Sequence, residues 1–169
     1  MTFTIKKDAQ GAPYLETSLT EYALLTNPML NKGMAFSPEE REAFRLLGHL
    51  PQHFGSLEEQ RQRSYETFTR IQDNLQQYVY LRSLQDSNEV LFYSLLIHHL
   101  AEMLPIVYTP VVGLGCQMYS KIYRRPRGLF ITYPDQNKID TILSSRCFDN
   151  VRAIVVSDGE RILGLGDLS

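Results

Sequence analysis

Residues 105–128 read PIVYTPVVGLGCQMYSKIYRRPRG, and this stretch decides the predicted fold. It opens with residues 106–108, a short apolar and β-branched run of the kind that forms buried strands. Thr109 and Pro110 then predict a helix start, with a hydroxyl at the N-cap and a proline at the first helical position. The Tyr108 hydroxyl is therefore predicted to lie where a strand ends and a helix begins, next to unpaired backbone N–H groups.

The chain before this stretch is predicted to be mainly helical. Residues 37–40 (SPEE) and 56–59 (SLEE) both read as capping boxes, in which a serine and a glutamate satisfy the first N–H groups of a helix. The first box predicts a helix to about residue 47, closed by Gly48. The second predicts a much longer helix, whose buried stripe recurs at steps of three and four residues: Phe68, Ile71, Leu75 and Tyr78.

A third helix start lies at residues 86–89 (DSNE), and it leads into a run that is apolar on most faces. Pro105 is expected to stop that helix, because proline has no N–H to donate. Residues 1–35 show no clear period, so we predict an extended arm there.

The chain after Tyr108 is predicted to alternate strands and helices. The strand at 106–108, a helix over 110–122 and an apolar run at 129–133 form a β-α-β pattern. Four further elements are predicted in order: a helix over 135–143, a strand over 152–157, a hairpin turn at 158–159 and a returning strand over 161–165. The predicted fold class is α/β (α+β-like), with a helical N-terminal half packed on a small mixed sheet in one domain.

Composition excludes several classes of protein. The chain has 169 residues, 43% of them hydrophobic and 21% charged, which are the values of a globular domain. A formal net charge of −2 gives no basic field for nucleic acid or a membrane surface. Two cysteines provide neither a disulfide framework nor metal-ligand spacing, and no signal peptide is evident, so we expect a cytoplasmic protein. Polar residues and Pro105 interrupt the most apolar stretch, 90–108, which argues against a membrane span.

Two residues stand out as candidate site residues. The phenol of Tyr108 could act as a general acid, although a core tyrosine with a satisfied hydroxyl is the simpler interpretation in a chain with ten tyrosines. Arg161 follows the turn predicted at 158–159 and is the first residue of the apolar strand predicted over 161–165. A guanidinium binds carboxylates and phosphates through parallel hydrogen bonds, although an ordinary charged hairpin would show the same pattern.

Three other patterns give weaker signals. Residues 164–167 (GLGD) lack the third glycine and the following helix of a dinucleotide fingerprint. His98 and His99 are adjacent rather than at the i, i+4 spacing of a metal pair, so we expect both to be structural. The turn before the predicted strand at 129–133 carries three arginines: Arg124, Arg125 and Arg127. Their guanidinium groups could bind phosphate, although a solvated or interface loop is the more common case.

Four strings of this sequence together resemble the N-terminal domain of malic enzymes. The resemblance covers residues 28–168 in order and in one register. The strings are 31–36 (NKGMAF), 105–110 (PIVYTP), 124–128 (RRPRG) and 158–167 (DGERILGLGD).

The resemblance implies a function and two residue roles. Malic enzymes oxidatively decarboxylate L-malate to pyruvate and CO₂ with NAD or NADP and with Mg²⁺ or Mn²⁺. Tyr108 matches the family's catalytic tyrosine, which protonates the enol of pyruvate. Arg161 matches the arginine that binds a malate carboxylate and lies near the cofactor. The family also associates through its N-terminal helices, which implies a homodimer.

The resemblance also has limits. The sequence reaches Ser169 before the family's catalytic lysine, its three acidic metal ligands and its dinucleotide-binding domain. We therefore divide the chain into an arm (1–27) and the malic enzyme N-terminal domain (28–169), and we expect these residues alone to bind no cofactor or metal and to be inactive. A non-catalytic dicarboxylate-binding, dimerisation or regulatory module is the alternative, and a malolactic enzyme is a further one.

Some animal members of the family have a fumarate-activation site made of two arginines and a glutamate. Arg63 matches one arginine position, whereas Ser87 and Gly55 occupy the other two positions. Because a carboxylate ligand needs paired donors, the sequence does not predict fumarate activation.

Overall fold

Side-chain caps at Ser37, Ser56, Asp73 and Asn88 begin four of the helices in the described part of the chain. The computed structural model describes residues 3–149, 151 and 153–158, and it divides the chain into two compact units, Met1–Met118 and Tyr119–Ser169. The first unit contains two strands, seven α-helices and one 3₁₀ helix among its described residues. These are β1 (Thr4–Lys7), β2 (Pro13–Glu16), α1 (Glu21–Leu25), the 3₁₀ helix Gly33–Ala35, α2 (Pro38–Ala43), α3 (Leu57–Arg70), α4 (Asn74–Ser87), α5 (Glu89–His98), α6 (Leu100–Val107) and α7 (Val111–Gln117).

The first residues form an antiparallel hairpin, so the extended arm predicted over 1–35 is wrong in its local structure. β1 pairs with β2 so that Thr4 faces Glu16. The side chain of Asp8 accepts hydrogen bonds from two backbone N–H groups of the connecting turn. After the hairpin, α1 contributes to a small apolar cluster, whose buried members are Leu24, Leu30, Phe36 and Leu46.

Both predicted capping boxes are confirmed. The Ser37 hydroxyl accepts from the backbone N–H of Glu40 (3.2 Å), and the Glu40 carboxylate accepts from the backbone N–H of Ser37 (2.9 Å). Ser56 and Glu59 make the equivalent pair at the start of α3. The predicted end of α2 at residue 47 is too late. The helix ends at Ala43, and the chain then turns through residues with positive φ: Arg45 (+56°) and Gly48 (+82°).

The long helix predicted from residue 57 is wrong, because it is two helices. α3 ends at Arg70 and α4 begins at Asn74. The Asp73 side chain accepts a hydrogen bond from the backbone N–H of Gln76 (2.8 Å), which makes Asp73 an N-cap. An aspartate that caps a new helix ends the previous one in spite of the continuing apolar period.

The predicted start at residues 86–89 is confirmed, since the Asn88 side chain caps α5 by accepting from the N–H of Leu91 (2.9 Å).

The predicted stop at Pro105 is wrong. The helix breaks earlier, at His99, and α6 continues through Pro105 to Val107. Residues 106–107 of the strand predicted at 106–108 are consequently helical, and Tyr108 is the C-cap. A proline removes one backbone hydrogen bond, and the burial of Met103 and Ile106 on either side of it favours continuation of the helix.

The main core of the first unit joins five helices. Its buried members come from α3 to α7: Phe68, Leu81, Phe92, Leu95, Met103, Ile106 and Val111. By length and composition alone, Leu100–Gln117 is the one stretch of the described residues that could cross a membrane, with a mean hydropathy of 1.2. It comprises α6 and α7, which contribute three buried side chains to this core, so its composition is weak evidence for a span.

The second unit has short helices in its described part. These are α8 (Tyr119–Ile122), the 3₁₀ helix Tyr133–Lys138, α9 (Ile139–Leu143) and the 3₁₀ helix Arg146–Phe148. The Thr132 hydroxyl donates to the Asp135 carboxylate (2.6 Å) and holds its pKa below the ordinary value. The helix predicted over 135–143 is confirmed as a 3₁₀ helix followed by α9.

The strands predicted over 129–133 and 152–157 are wrong wherever the structure describes those residues. Residues 129–132 and 153–157 lie outside regular secondary structure. Val155 and Val156 are 94% and 89% exposed. β-branched residues form strands when a neighbouring strand pairs with them, and an exposed run without such a partner does not. The predicted hairpin at 158–159 and the returning strand at 161–165 lie outside the described residues, apart from Asp158.

The helix-rich fold predicted for the first half of the chain is confirmed. Within the described residues the sheet has only the two antiparallel strands of the N-terminal hairpin rather than the mixed sheet predicted for the second half. The division into an arm (1–27) and one domain (28–169) stays a prediction.

Arg41 on α2 connects two loops of the first unit and was not singled out by the sequence. Its side chain is buried, and all five of its contacts are backbone carbonyl oxygens. Nε donates to Phe36 (2.9 Å), and the terminal nitrogens donate to the carbonyls of Met34, Pro51, Gln52 and His53 at 2.7–3.3 Å. One side chain therefore satisfies carbonyl groups of both loops.

Replacement of this side chain tests its role. We expect Arg41→Met to lower the free energy of unfolding by about 3 kcal/mol or more, because several carbonyl groups lose a charged donor in a buried place. Arg45→Met is the matched control, since that side chain is 76% exposed and lies 4.0 Å from Glu21. The control should change stability by about 0.5 kcal/mol or less. Urea denaturation of both variants measures this, and equal losses would contradict the assignment.

Candidate active site at the junction of α6 and α7

Tyr108 lies between two helices rather than between a strand and a helix, so the predicted setting is wrong. It is the C-cap of α6, with extended backbone angles (φ −129°, ψ −158°). Its N–H donates to the carbonyl of Leu104 (2.9 Å), and its carbonyl accepts from the N–H of Val112 (3.0 Å). The side chain is 61% exposed. A fixed backbone thus presents an accessible phenol.

The turn after Tyr108 begins α7 one residue later than predicted. Pro110, not Thr109, occupies the N-cap position, and no side-chain hydrogen bond caps this helix. The Thr109–Pro110 peptide bond is cis. The Pro110 carbonyl accepts from the N–H of Gly113 (3.2 Å), which closes the first turn.

α7 approaches α4 closely through Gly115. A Cβ atom built on Gly115 would lie 3.0 Å from Cε1 of Tyr78 and 3.3 Å from its Cζ. Gly115 is buried, and so are Val111 and Gly113 of the same helix. The absence of a side chain at Gly115 therefore lets α7 pack on the Tyr78 ring.

Both helices that flank Tyr108 are anchored in the main core. Met103 and Ile106 anchor α6, and Val111 anchors α7. The phenol can be reached from solvent, while the backbone that carries it is held from both sides. This is the arrangement that a proton-donating side chain needs, since its position must be fixed while its hydroxyl remains accessible.

The second predicted site residue, Arg161, lies outside the described residues, as does the GLGD stretch at 164–167. Whether Arg161 and Tyr108 share a pocket stays a prediction. In the second unit, the arginine-rich stretch lies in the loop after α8, where Arg124 and Arg125 are exposed and Gly128 has a positive φ (+90°).

The two adjacent histidines are structural, as predicted. Nδ1 of His98 lies 2.8 Å from the carbonyl oxygen of Ser94 on the preceding turn. The imidazole of His99 stacks on the ring of Tyr65, with 3.7 Å between ring centroids and 10° between planes.

The described residues do not form a metal site. Residues 3–149, 151 and 153–158 contain no group of three or more His, Cys, Asp or Glu side chains placed to hold an ion. Cys116 and Cys147 are both free and exposed.

Residues 31–36 (NKGMAF) also pack against the side chain of Gln60, a contact that the sequence alone did not show. Gly33 has a positive φ (+57°), and a Cβ there would collide with Oε1 of Gln60. That same oxygen accepts from the N–H of Met34 (3.1 Å), while Nε2 of Gln60 donates to the carbonyl of Lys32 (3.2 Å). A glycine within a short polar string was the only signal for this contact.

We expect Gly115→Ala to destabilise the chain by roughly 1 kcal/mol. Alanine favours a helix over glycine by about 1 kcal/mol, but overpacking against the Tyr78 ring costs about 1–3 kcal/mol. In a Tyr78→Leu background the same substitution should become neutral or stabilising, because the contact is gone. Chemical denaturation of the four chains of this double-mutant cycle measures the sign. A stabilising effect of Gly115→Ala alone would refute the close packing.

Comparisons with known proteins agree with the resemblance. The family model described as malic enzyme, N-terminal domain, matches residues 85–169. Similar curated relatives are the NAD-dependent malic enzymes of Aeromonas salmonicida (strain A449), 56% identical over 145 residues, of Aeromonas hydrophila, 55%, and of Psychromonas ingrahamii, 52%. Each match covers 86% of this chain and 26% of the relative, so the chain spans about a quarter of the length of these relatives. On this evidence the chain belongs to the malic enzyme family.

Proposed function

We propose that these residues are the N-terminal part of an NAD-dependent malic enzyme, which oxidatively decarboxylates L-malate to pyruvate and CO₂. Membership of the family supports the reaction, and the names of the relatives support NAD over NADP as the cofactor. The proposal includes Mg²⁺ or Mn²⁺ and a cytoplasmic location. By the resemblance to malic enzymes, the family's three acidic ligands, which follow the catalytic lysine, would hold the metal.

Tyr108 is the proposed acid, and the observation that carries this assignment is its exposed phenol on a backbone fixed between α6 and α7. A phenol carries one proton that it can donate. After decarboxylation leaves the enol of pyruvate, the Tyr108 O–H would deliver its proton to the methylene carbon. The enol hydroxyl would lose its own proton to a base or to solvent in the same step, which gives the ketone. The phenolate then recovers a proton from solvent or from a neighbouring group.

Arg161 is the proposed substrate-binding residue, close to the cofactor. A guanidinium can donate two parallel hydrogen bonds to one carboxylate of malate, which fixes the orientation of the substrate as well as its position. This part of the proposal is supported by the DGER string at residues 158–161 and by the match of the family model to the same residues.

The proposal also includes a homodimer formed through the N-terminal helices. Large apolar side chains are well exposed on the first unit, and an interface would remove them from water: Tyr22, Leu47 and Ile97. Light scattering over a range of concentrations tests this part, and a monomer at every concentration would contradict it.

The reaction itself is tested with a chimera, in which residues 1–169 replace the corresponding part of the Aeromonas salmonicida enzyme. We expect the chimera to reduce NAD in the presence of malate and Mn²⁺, and Tyr108→Phe to lower kcat by about 100-fold or more, because the proton donor is lost. Tyr133→Phe is the matched control, since Tyr133 is also a strongly exposed tyrosine but lies in the second unit.

Unchanged kcat in the Tyr108→Phe chimera, with the control active, would overturn the assignment of the acid. Binding of malate to a chimera that never reduces NAD would support the non-catalytic dicarboxylate-binding module instead. Thermal denaturation of each variant separates loss of activity from loss of folding.

A further inference from the structure

The helical run that leads to Tyr108 is broken at His99. This residue has non-helical angles (φ −128°, ψ +34°) and serves as the C-cap of α5 and the N-cap of α6. Its N–H donates to the carbonyl of Leu95 (3.1 Å), and its carbonyl accepts from the N–H of Met103 (3.0 Å). The direction of α6 relative to α5 is therefore set at one residue.

Tyr65 on α3 contacts both sides of this break. Its ring stacks on the imidazole of His99 (3.7 Å between centroids), and its hydroxyl donates to Oε2 of Glu102 in the first turn of α6 (2.9 Å). We call these three side chains the Tyr65 clasp. The clasp connects the beginning of α6 to α3, which is separate from the two helices that meet at His99.

The hydrogen bond of the clasp stabilises the protonated phenol. The Glu102 carboxylate raises the pKa of Tyr65 above its ordinary value of about 10. A raised pKa in the folded state means that this stabilisation is complete below pH 10 and is lost as the pH rises through the folded value. Titration of the Tyr65 phenol therefore does not break its hydrogen bond to Glu102 near neutral pH.

The geometry of α6 makes the direction of this helix important for Tyr108. Six residues separate Glu102 from Tyr108, which is about 9 Å along a helix axis at about 1.5 Å per residue. A tilt of roughly 7° about the beginning of the helix would move the backbone of Tyr108 by about 1 Å over that distance. A displacement of about 1 Å can reduce the rate of a positioned reaction by roughly 100-fold.

The clasp adds a directional restraint to the core contacts that anchor α6. Met103 and Ile106 bury one face of the helix, and apolar contacts have little directional preference. A hydrogen bond from a phenol to a carboxylate weakens when its distance or angle changes, so it restrains direction as well as position.

We propose that Tyr65 is a positioning residue for Tyr108: by clasping the α5–α6 break, it sets the direction of α6 and so the place of the Tyr108 phenol. This inference rests on the proposed function, in which Tyr108 is the acid.

Kinetics of the chimera test the inference. Tyr65→Phe keeps the ring on His99 but removes the hydroxyl, and we expect kcat to fall about 10-fold or more while KM for malate changes less than about threefold. Glu102→Ala should behave in the same way. Glu102→Gln keeps an oxygen acceptor and should retain kcat within about threefold.

The matched control is Tyr93→Phe. Tyr93 lies on α5, and its hydroxyl accepts a hydrogen bond from Gln85 of α4 (3.4 Å), so this variant also removes one phenol contact between helices but leaves the clasp intact. Its kcat should be unchanged.

Hydrogen exchange in the 169-residue chain separates local loosening from general destabilisation. The Tyr108 N–H donates to the carbonyl of Leu104, and the Asn88 N–H donates to that of Leu84. In Tyr65→Phe, we expect the exchange rate of the Tyr108 N–H, divided by that of the Asn88 N–H, to be about 10-fold higher than in the wild type. Equal acceleration of both amides, or wild-type kcat in Tyr65→Phe, would overturn the inference. If Tyr108→Phe itself remains active, the proposed function fails instead.

Discussion

Burial of one apolar cluster fixes the parts of the first unit to each other. Its members come from α3, α4, α5, α6 and α7, so the two helices on either side of Tyr108 are held by the same core. Each large side chain in such a core contributes about 1.5–3 kcal/mol when it is removed from water. The chain between α6 and α7 is too short to move independently of its anchors, Ile106 and Val111. The phenol of Tyr108 is exposed, whereas Ile106 and Val111 before and after it are buried.

Polar side chains satisfy backbone groups of the loops, which the apolar core cannot do. The loops on either side of α2 leave carbonyl and N–H groups that need partners, and two side chains supply many of them: Arg41 for the carbonyls around residues 34–36 and 51–53, and Gln60 for the 3₁₀ helix that begins at Gly33. Both partners come from helices that begin with confirmed capping boxes. The residues that begin α2 and α3 therefore also determine where the side chains of Arg41 and Gln60 lie relative to these loops.

The sequence predicted several features that depend on neighbouring residues, and most of its errors concern distant contacts. The capping boxes at Ser37 and Ser56 and the helix start at residues 86–89 are local, and all three are confirmed, although the equally local cap at Asp73 was missed. Pro105 was expected to end a helix, but the burial of its neighbours keeps the helix intact, and no local rule contains that information. The apolar run near Val155 looked like a strand because its composition is right, but a strand also needs a partner. Tyr108 lies at a junction of two elements, although both are helices, and the roles of Tyr108 and Arg161 rest on resemblance.

The most direct measurement of the shared site is an experimental structure of the chimera with pyruvate bound. Our account predicts that the Tyr108 hydroxyl faces the methyl carbon of pyruvate within about 4 Å, and that the Arg161 guanidinium donates to its carboxylate at about 2.7–3.2 Å. Pyruvate bound at another place, with Tyr108 and Arg161 facing separate surfaces, would contradict the account.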